Sequence, residues 1–380
     1  MKSLHPSVDA YVRTWPARYE MLDGLRGIAC LGVLVHHLGG PLIGHYAVMV
    51  FFVISGYCIT ASAQSCLRHG IGFGAYMKRR LHRIYPPYFI AVMFFAATRV
   101  LRTMLGGPPW HPGALQWLQN LSLTQWVSLL FHPAAWPASN ETLFVAAFWS
   151  LNYEEQFYLV VGLALLLCRR YGIGIFHTVV ALTAAALLWN FTVPGGWLTG
   201  FFLEYWAHFA LGSCLYFVLC EPPRRHASTI FVAGCLLLAA YCAVHIWPWT
   251  VGIELETQRR AYIELMLLAG LSVALLLLRP YSAMVSRSLL WRPIAAVGTI
   301  SYSLYLIHQF NLKLVETLAA FIVRVETPTT VLMLVKILLH IGIASGFWYL
   351  CERPFLNRRP ANHSLNAAVT AAAGAPVSPN

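Results

Sequence analysis

The apolar positions of this 380-residue chain fall into long runs that are separated by short polar segments. A helix needs about 20 mostly apolar residues to cross the hydrocarbon core of a bilayer, and we count about ten runs that reach or approach this length. They span 25–43, 46–64, 84–102, 150–168, 174–192, 200–220, 228–247, 261–279, 294–312 and 329–351. The pattern predicts an all-α fold, a polytopic membrane bundle of about ten transmembrane helices.

Lysine and arginine are distributed unevenly between the polar segments. Segments predicted to lie on one side of the membrane carry most of them, in clusters at 78–83, 169–170, 224–225 and 358–359. Because basic loops are retained in the cytoplasm, this alternation predicts that both termini are cytoplasmic. The predicted organisation is a cytoplasmic segment 1–24, an integral membrane domain 25–356 and a disordered cytoplasmic tail 357–380.

Composition agrees with a membrane protein, since 58% of the residues are hydrophobic and 11% are charged. The net charge of +12 then reflects the basic loops, and nucleic-acid binding is not expected. The nine cysteines lie mostly inside apolar runs without paired short spacings, so we predict neither a disulfide framework nor a metal site.

Four groups of polar residues interrupt the apolar runs, where a charge costs at least about 2.5 kcal/mol. The first is Arg26 with His37, eleven residues on. On a helix this spacing places both side chains within about 20° of one face and about 16 Å apart along the axis, whereas His36 is turned about 80° away. A lone intramembrane histidine is more often structural, but an aligned arginine favours a functional role.

The second group is "MKRRLHRIYPPY", residues 77–88, just before the third predicted span. Part of its role is to signal topology. Arg80 and Arg83 are also one helical turn apart, so that together they present planar bidentate donors to an anionic group. A phosphate-bearing ligand that arrives from the cytoplasm would meet them first.

The other two groups lie in "WSLNYEEQFYLV", residues 149–160, and "GTISYSLYLIHQF", residues 298–310. Glu154 and Tyr158 are four residues apart, which predicts one hydrogen-bonded cluster, and a structural salt bridge is the alternative to a functional carboxylate. Ser301, Tyr305 and His308 are predicted to share one stripe of the ninth span.

One long connection, residues 103–149, is rich in proline and tryptophan. Its inner part, residues 115–131, is predicted to lie in the membrane interface as a short amphipathic helix. Two interpretations stay open, a loop that only packs and a lid that binds an acceptor on the outer face.

In this order and at these distances, the polar groups resemble the acyltransferase-3 family of bacterial integral membrane O-acyltransferases over roughly residues 20–356. The matching motifs are R-x10-H at Arg26 and His37, FFVxSG at 51–56, RxxR at Arg80 and Arg83, WSLxxExxFY at 149–158, SYxxYLxH at 301–308, and ERPF at 352–355. The acidic position of the family's GVDxFF stretch is Met49 in this chain.

The resemblance implies O-acyl transfer in the bacterial cytoplasmic membrane. The expected donor is cytoplasmic acetyl-CoA, which acts as a cosubstrate. The expected acceptor is a hydroxyl of a sugar or glycosylated molecule, in a surface polysaccharide, a lipid-linked glycan or an antibiotic. A single membrane domain is then expected to carry out the transfer or to pass the acyl group to a partner.

We predict that Arg26, Arg80 and Arg83 bind the acyl-CoA donor, and that His37 and Glu154 are catalytic. The acceptor is predicted to bind from the outer half of the membrane, at Tyr158, Tyr302 and His308. His37 either takes the proton of the acceptor hydroxyl or is itself acylated, and both routes stay open. The rival function is a proton-coupled transporter, which has no need of a phosphate-binding arginine pair.

Overall fold

A computed structural model describes residues 19–131, 143–192, 200–220, 255–323 and 328–356. Every regular element in these ranges is helical, which confirms the predicted fold class. The α-helices are α1 Leu22–His37, α2 Gly44–Arg68, α3 Phe73–Met104, α4 Ala114–Ser122, α5 Gln125–Phe131, α6 Trp149–Tyr171, α7 Ile175–Thr192, α8 Trp206–Cys220, α9 Leu255–Leu277, α10 Ser282–Arg287, α11 Trp291–Thr299, α12 Ser301–Ile307, α13 Leu312–Ile322 and α14 Thr329–Phe347. A π-helix, Trp348–Glu352, and a 3-10 turn, Arg353–Phe355, extend α14.

Within the described ranges, three helices are long and apolar enough to cross a membrane: α2, α3 and the extended α14, Thr329–Phe355. A bent pair, Tyr262–Leu277 with Arg279–Arg287, counts as a fourth if it forms one span. Ile175–Ala186 and Trp206–Cys220 are shorter apolar helices. The predicted span 228–247, the tail 357–380 and most of segment 1–24 lie outside the described residues. The count of about ten spans and the side of the termini stay predictions.

The basic segment before the third predicted span is not a loop. α3 begins at Phe73, so Arg80 and Arg83 lie on the same continuous helix as the span. The physical reason is that methionine, lysine, arginine and leucine are good helix formers, which lets the helix extend beyond its apolar part. One continuous helix, which also contains Pro86 and Pro87, therefore carries both arginines into the bundle.

The predicted span 294–312 is divided into α11, α12 and the start of α13. At the first break, Thr299 donates its hydroxyl proton to the Ala295 carbonyl at 3.1 Å, a bond that competes with the helical ladder and bends helices. The first predicted span is also shorter than expected, because α1 ends at His37 before Gly39, which has a φ of +86°.

Two close helix crossings depend on glycine. A Cβ atom on Gly298 of α11 would lie 1.7 Å from the Asp23 carbonyl oxygen of α1, and one on Gly56 of α2 would lie 2.1 Å from the Phe209 carbonyl oxygen of α8. Only glycine lets these backbones touch. Two motif glycines thereby set the positions of α1 and α2 in the bundle.

The predicted interfacial helix at 115–131 forms two helices, α4 and α5. They separate at Leu123, whose φ of 54° is left-handed. On α4 the side chains of Leu115 and Leu118 are 62% and 63% exposed, whereas the helix face that carries Asn120 is buried. The Asn120 Oδ1 accepts a hydrogen bond from the Phe144 amide at 2.9 Å. This bond joins the inner part of the long connection to the segment just before α6.

Candidate active site

A cleft lies among α1, α2, α3, α6 and α12, with about 1180 Å³ of empty space, open solvent at its mouth included. It collects residues from most of the motifs singled out in the sequence. Six of the eight predicted site residues line it: Arg26, Arg80, Arg83, Glu154, Tyr158 and Tyr302. We call this space the arginine cleft.

The three arginines enter the arginine cleft from two helices, α1 and α3. The Arg80 guanidinium lies 5.5 Å from the centre of the Tyr158 ring, in a cation–π contact that joins α3 to α6. Arg26 Nη2 donates to the Cys58 sulfur at 3.5 Å. In the described part of the chain, no carboxylate oxygen lies within 4.0 Å of Arg26, Arg80 or Arg83. Three glutamates, Glu154, Glu155 and Glu352, line the same cleft, but none of them pairs directly with an arginine, so the guanidinium groups can donate charge-assisted hydrogen bonds to an anionic ligand.

Glu154 is the centre of a short hydrogen-bonded chain in the same cleft. Its Oε1 accepts from the Ser55 hydroxyl at 2.9 Å and from the Tyr158 hydroxyl at 2.5 Å. The predicted Glu154 and Tyr158 cluster is therefore confirmed. The Tyr158 ring also contacts the Arg80 guanidinium. This series of side-chain contacts therefore links α2, α6 and α3.

Glu155 and Glu352 also line the cleft, and the sequence prediction did not include them. Glu155 accepts a hydrogen bond from the Tyr85 hydroxyl, and its buried Oε2 has no partner among the described residues. Glu352 accepts from the backbone amide of Ser303 at 3.1 Å and from its hydroxyl at 2.5 Å. The signals were present in the sequence, as the doubled glutamate of "NYEEQF" and as the ERPF motif.

Tyr302 holds α12 against α3, because its hydroxyl donates to the Ile84 carbonyl at 2.9 Å. Ile84 directly follows Arg83 on α3, so the bond brings the Tyr302 hydroxyl beside the arginines.

His37 and His308 form a separate pair, with ring centres 5.0 Å apart. His308 is 1% exposed, and its Nδ1 donates to the Tyr305 carbonyl at 2.8 Å. Since a carbonyl only accepts, the neutral ring carries its proton on Nδ1 and has a free lone pair on Nε2. This buried Nε2 has no hydrogen-bond partner within the described ranges.

His36 points elsewhere, as its helical angle predicts. Its ring packs over Gly44 at the start of α2, where a Cβ atom would lie 2.5 Å from an imidazole carbon. The two adjacent histidines therefore contact different neighbours.

Tyr305 separates the histidine pair from the arginine cleft. It lines the cleft, its ring centre lies 5.7 Å from that of His308, and neither His37 nor His308 lines the cleft itself. The Tyr305 hydroxyl is held by the Ser150 hydroxyl at 2.6 Å and by the Ala147 carbonyl at 2.5 Å.

The structure does not bring the predicted acceptor residues Tyr158, Tyr302 and His308 into one group. Tyr158 and Tyr302 lie beside the arginines, whereas His308 contacts His37 beyond Tyr305. The physical reason is the way the helices pack, since Tyr158 of α6 lies at the level of Arg80 of α3. Sequence spacing could not show this position of Tyr158. Tyr302 and His308, in contrast, are six residues apart on one helical segment, which turns them about 120° from each other.

A second polar cluster joins α2, α8 and α9. The two carboxylate oxygens of Glu264 lie 2.5 Å from His208 Nε2 and 3.0 Å from His45 Nε2. In the part of the chain that the structure describes, no group of three or more histidine, cysteine, aspartate or glutamate side chains is arranged to hold a metal ion.

The chain matches the acyltransferase-3 family, described as an acyltransferase domain, over residues 19–350. It is 25% identical over 383 residues to the putative membrane-bound transacylase BcsY of Komagataeibacter xylinus, which covers 94% of this chain and 89% of that protein. It is 26% identical over 384 residues to the putative peptidoglycan O-acetyltransferase YrhL of Bacillus subtilis, covering 90% of this chain and 56% of YrhL.

Over 156 residues the chain is 29% identical to the O-acetyltransferase OatA of Staphylococcus aureus, covering 38% of this chain. It thus spans 56% of the length of YrhL, and its match to OatA covers 24% of that protein. No solved structure matches the chain. The family match covers most of the chain and includes most of the motifs that build the arginine cleft and the histidine pair. This membrane protein therefore belongs to the acyltransferase-3 family and is an acyltransferase.

Proposed function

We propose that the protein transfers an acetyl group from cytoplasmic acetyl-CoA to a hydroxyl of a sugar or glycosylated acceptor. The observation that carries the proposal is the arginine cleft, where Arg26, Arg80 and Arg83 lie together without an ion pair among the described residues. The names of YrhL and OatA support acetyl as the group transferred, and that of YrhL supports a glycan as the acceptor.

The donor site follows from the chemistry of coenzyme A, which has phosphates at one end and the thioester at the other. Arg80 and Arg83 bind the phosphates with bidentate, charge-assisted hydrogen bonds. The pantetheine arm then runs past Arg26 toward His37, about 16 Å further along α1. The thioester reaches a buried region of the bundle where little water competes with the acceptor.

Glu154 acts on the donor side of the reaction in this account. It accepts hydrogen bonds from Ser55 and Tyr158, and the Tyr158 ring contacts Arg80. Glu154 and Tyr158 therefore hold Arg80 in position for the phosphates. Tyr302 lines the same cleft. The acceptor then needs a binding site elsewhere.

The transfer itself takes place at the histidine pair. The acceptor oxygen attacks the thioester carbonyl carbon, a C–O bond forms, and the C–S bond breaks. His37 takes the hydroxyl proton and returns it to the leaving thiolate, so that coenzyme A departs as the thiol. His308, whose Nδ1 proton is held by the Tyr305 carbonyl, orients the His37 ring through their contact.

Proton transfer and acyl relay by His37 differ in one observable product. A relay leaves an acetyl group on an imidazole nitrogen when acetyl-CoA is present without acceptor. We expect mass spectrometry of rapidly quenched protein to show no acetylated peptide containing His37. An acetylated His37 peptide that disappears when acceptor is added would replace the general base with a relay.

Mass spectrometry of surface glycans and secreted glycosylated metabolites tests the proposed function. Cells that lack the gene should lose an acetyl group from one glycan or metabolite, and the wild-type gene should restore it. The His37→Ala variant at the same membrane level should not. Unchanged acetylation together with intracellular accumulation of an unmodified compound would favour the proton-coupled transporter.

A further inference from the structure

A second cavity opens at the other end of α3, with about 1210 Å³ of empty space, open solvent included. Its walls combine aromatic rings with hydrogen-bonding side chains, chiefly Phe95, Trp110, Phe144, Arg99, His111 and Gln309. We call it the aromatic cavity. The proposed donor chemistry leaves this space unused.

The position of the aromatic cavity relates it to the reaction centre. Arg99 is sixteen residues beyond Arg83 on α3, which corresponds to about 24 Å along the helix axis. On the other wall, Gln309 directly follows His308 in the chain. The histidine pair therefore lies between the arginine cleft and the aromatic cavity.

The aromatic wall is built as a packed cluster. The Trp110 ring centre lies 5.2 Å from that of Phe144, 5.7 Å from Trp117 and 5.9 Å from Phe95, all in edge-to-face geometry. The Asn120 side chain holds the backbone of Phe144 at 2.9 Å. A wall fixed in this way loses little conformational entropy when a ligand binds.

The polar side chains of the aromatic cavity have hydrogen-bond donors available for a ligand. The Gln309 Oε1 accepts from the Ala147 amide at 2.8 Å, which directs its NH₂ group away from that bond. In the described ranges, no carboxylate oxygen lies within 4.0 Å of the Arg99 guanidinium. Neutral and cationic donors beside flat aromatic surface suit a pyranose ring, which has an apolar C–H face and a rim of hydroxyls. A lipid chain would leave these donors without partners.

We propose that the aromatic cavity binds a sugar unit of the acceptor glycan, with Trp110 as its stacking surface and Arg99 and Gln309 as hydrogen-bond donors. The inference rests on the proposed function for the identity of the acceptor. It adds the binding site that the arginine cleft does not provide, and it resolves the role of the long connection as an acceptor-binding element.

Direct binding tests the proposal without any turnover. Purified protein in nanodiscs is titrated with chitotetraose and with cellotetraose, and binding is followed by saturation-transfer NMR of the sugar protons. At least one oligosaccharide should bind the wild-type protein. Trp110→Ala should weaken that binding about tenfold, equivalent to about 1.4 kcal/mol. Trp189→Ala is the matched control, because this tryptophan is 40% exposed on α7 away from the cavity.

Arg83→Ala and acetyl-CoA binding separate this inference from the proposed function. Arg83→Ala should weaken acetyl-CoA binding and leave oligosaccharide affinity unchanged. Normal acetyl-CoA binding together with no oligosaccharide binding, or with equal binding by the wild type and Trp110→Ala, overturns the aromatic cavity as the acceptor site. Labelling of the cavity by a photoreactive phosphatidylethanolamine that neither sugar displaces assigns it to lipid and overturns the proposal as well.

Discussion

The arginine cleft and the aromatic cavity have similar empty volumes, about 1180 and 1210 Å³, but their walls differ in chemistry. The cleft has three arginines beside carboxylates and phenols, whereas the cavity has stacked aromatic rings with a single arginine. The contrast fits the two proposed ligands, an anionic donor and a neutral acceptor with an apolar face. His37 and His308 lie between the two spaces, where a group passing from one ligand to the other would cross.

Loss of the proton acceptor between the two spaces should have the largest effect. His37→Ala should reduce acetyl transfer by about 10²–10⁴-fold, the range typical of general acid–base groups. Acetyl-CoA affinity should change little, because the proposed phosphate-binding residues are the arginines of the arginine cleft. Initial rates on purified protein, matched by amount and by thermal melting, provide the measurement.

His36→Ala is the control for this experiment. Its ring packs on Gly44, so the variant should lower the melting temperature and keep its specific activity. An inactive His36→Ala protein beside an active His37→Ala protein would move the catalytic face of α1 to His36.

The arginine cleft should determine donor affinity. Arg80→Ala and Arg83→Ala each remove contacts worth about 1.5–3 kcal/mol if they are made to phosphate. Acetyl-CoA affinity should fall tenfold or more, which isothermal titration of the purified protein will measure. Lysine replacements should cost less, since they keep the charge and lose the bidentate geometry.

Arg79 provides the matched control, because it is exposed and does not line the cleft. Arg79→Ala should bind acetyl-CoA normally. Wild-type affinity in the Arg80→Ala, Arg83→Ala double variant would reduce both residues to topology signals.

The close crossing of α1 and α11 depends on a glycine. Gly298→Ala would bring a Cβ atom within 1.7 Å of the Asp23 carbonyl, so the helices must separate. We expect a destabilisation of about 1–3 kcal/mol, typical of overpacking. Gly342→Ala is the control, since a Cβ atom there meets nothing within 4 Å. Equal melting temperatures for the two variants would contradict a close crossing.

The smallest effect is expected at Ser55. Ser55→Ala removes one of the two hydrogen bonds to Glu154 Oε1 and leaves the bond from Tyr158. A loss of about 1 kcal/mol should appear as a several-fold weaker affinity for acetyl-CoA. Ser65→Ala on the same helix is the control, because Ser65 is half-buried outside the cleft, and it should leave acetyl-CoA affinity unchanged. A Ser55→Ala loss as large as that of Arg80→Ala would mean that Ser55 touches the donor directly.

The sequence was sufficient wherever one helix determines the geometry. Helical angles alone place Arg26 with His37 on one face, separate His36 from them, and join Glu154 to Tyr158. Apolar run length likewise identifies α2 and α3, although it misplaces the start of α3, because helix propensity extends beyond the apolar part.

Relations between helices could not be read from spacing. The contact of Arg80 with Tyr158 and the position of Tyr305 between the cleft and the histidines both depend on how helices cross. The crossings of α2 with α8 and of α1 with α11 likewise depend on backbone contact at Gly56 and Gly298, which a single sequence shows only as small residues.

The sidedness of the reaction shows whether the arginine cleft and the aromatic cavity serve two substrates on opposite faces of the membrane. The protein is reconstituted in proteoliposomes in one orientation, and radioactive acetyl-CoA is added on one side only. The acceptor that mass spectrometry identifies is added either on the same side or on the opposite side. The account predicts acetyl transfer when acetyl-CoA is on the side of Arg80 and Arg83 and the acceptor is on the opposite side. Transfer only when both substrates share one side would contradict it, because the arginine cleft and the acceptor site would then open to the same face.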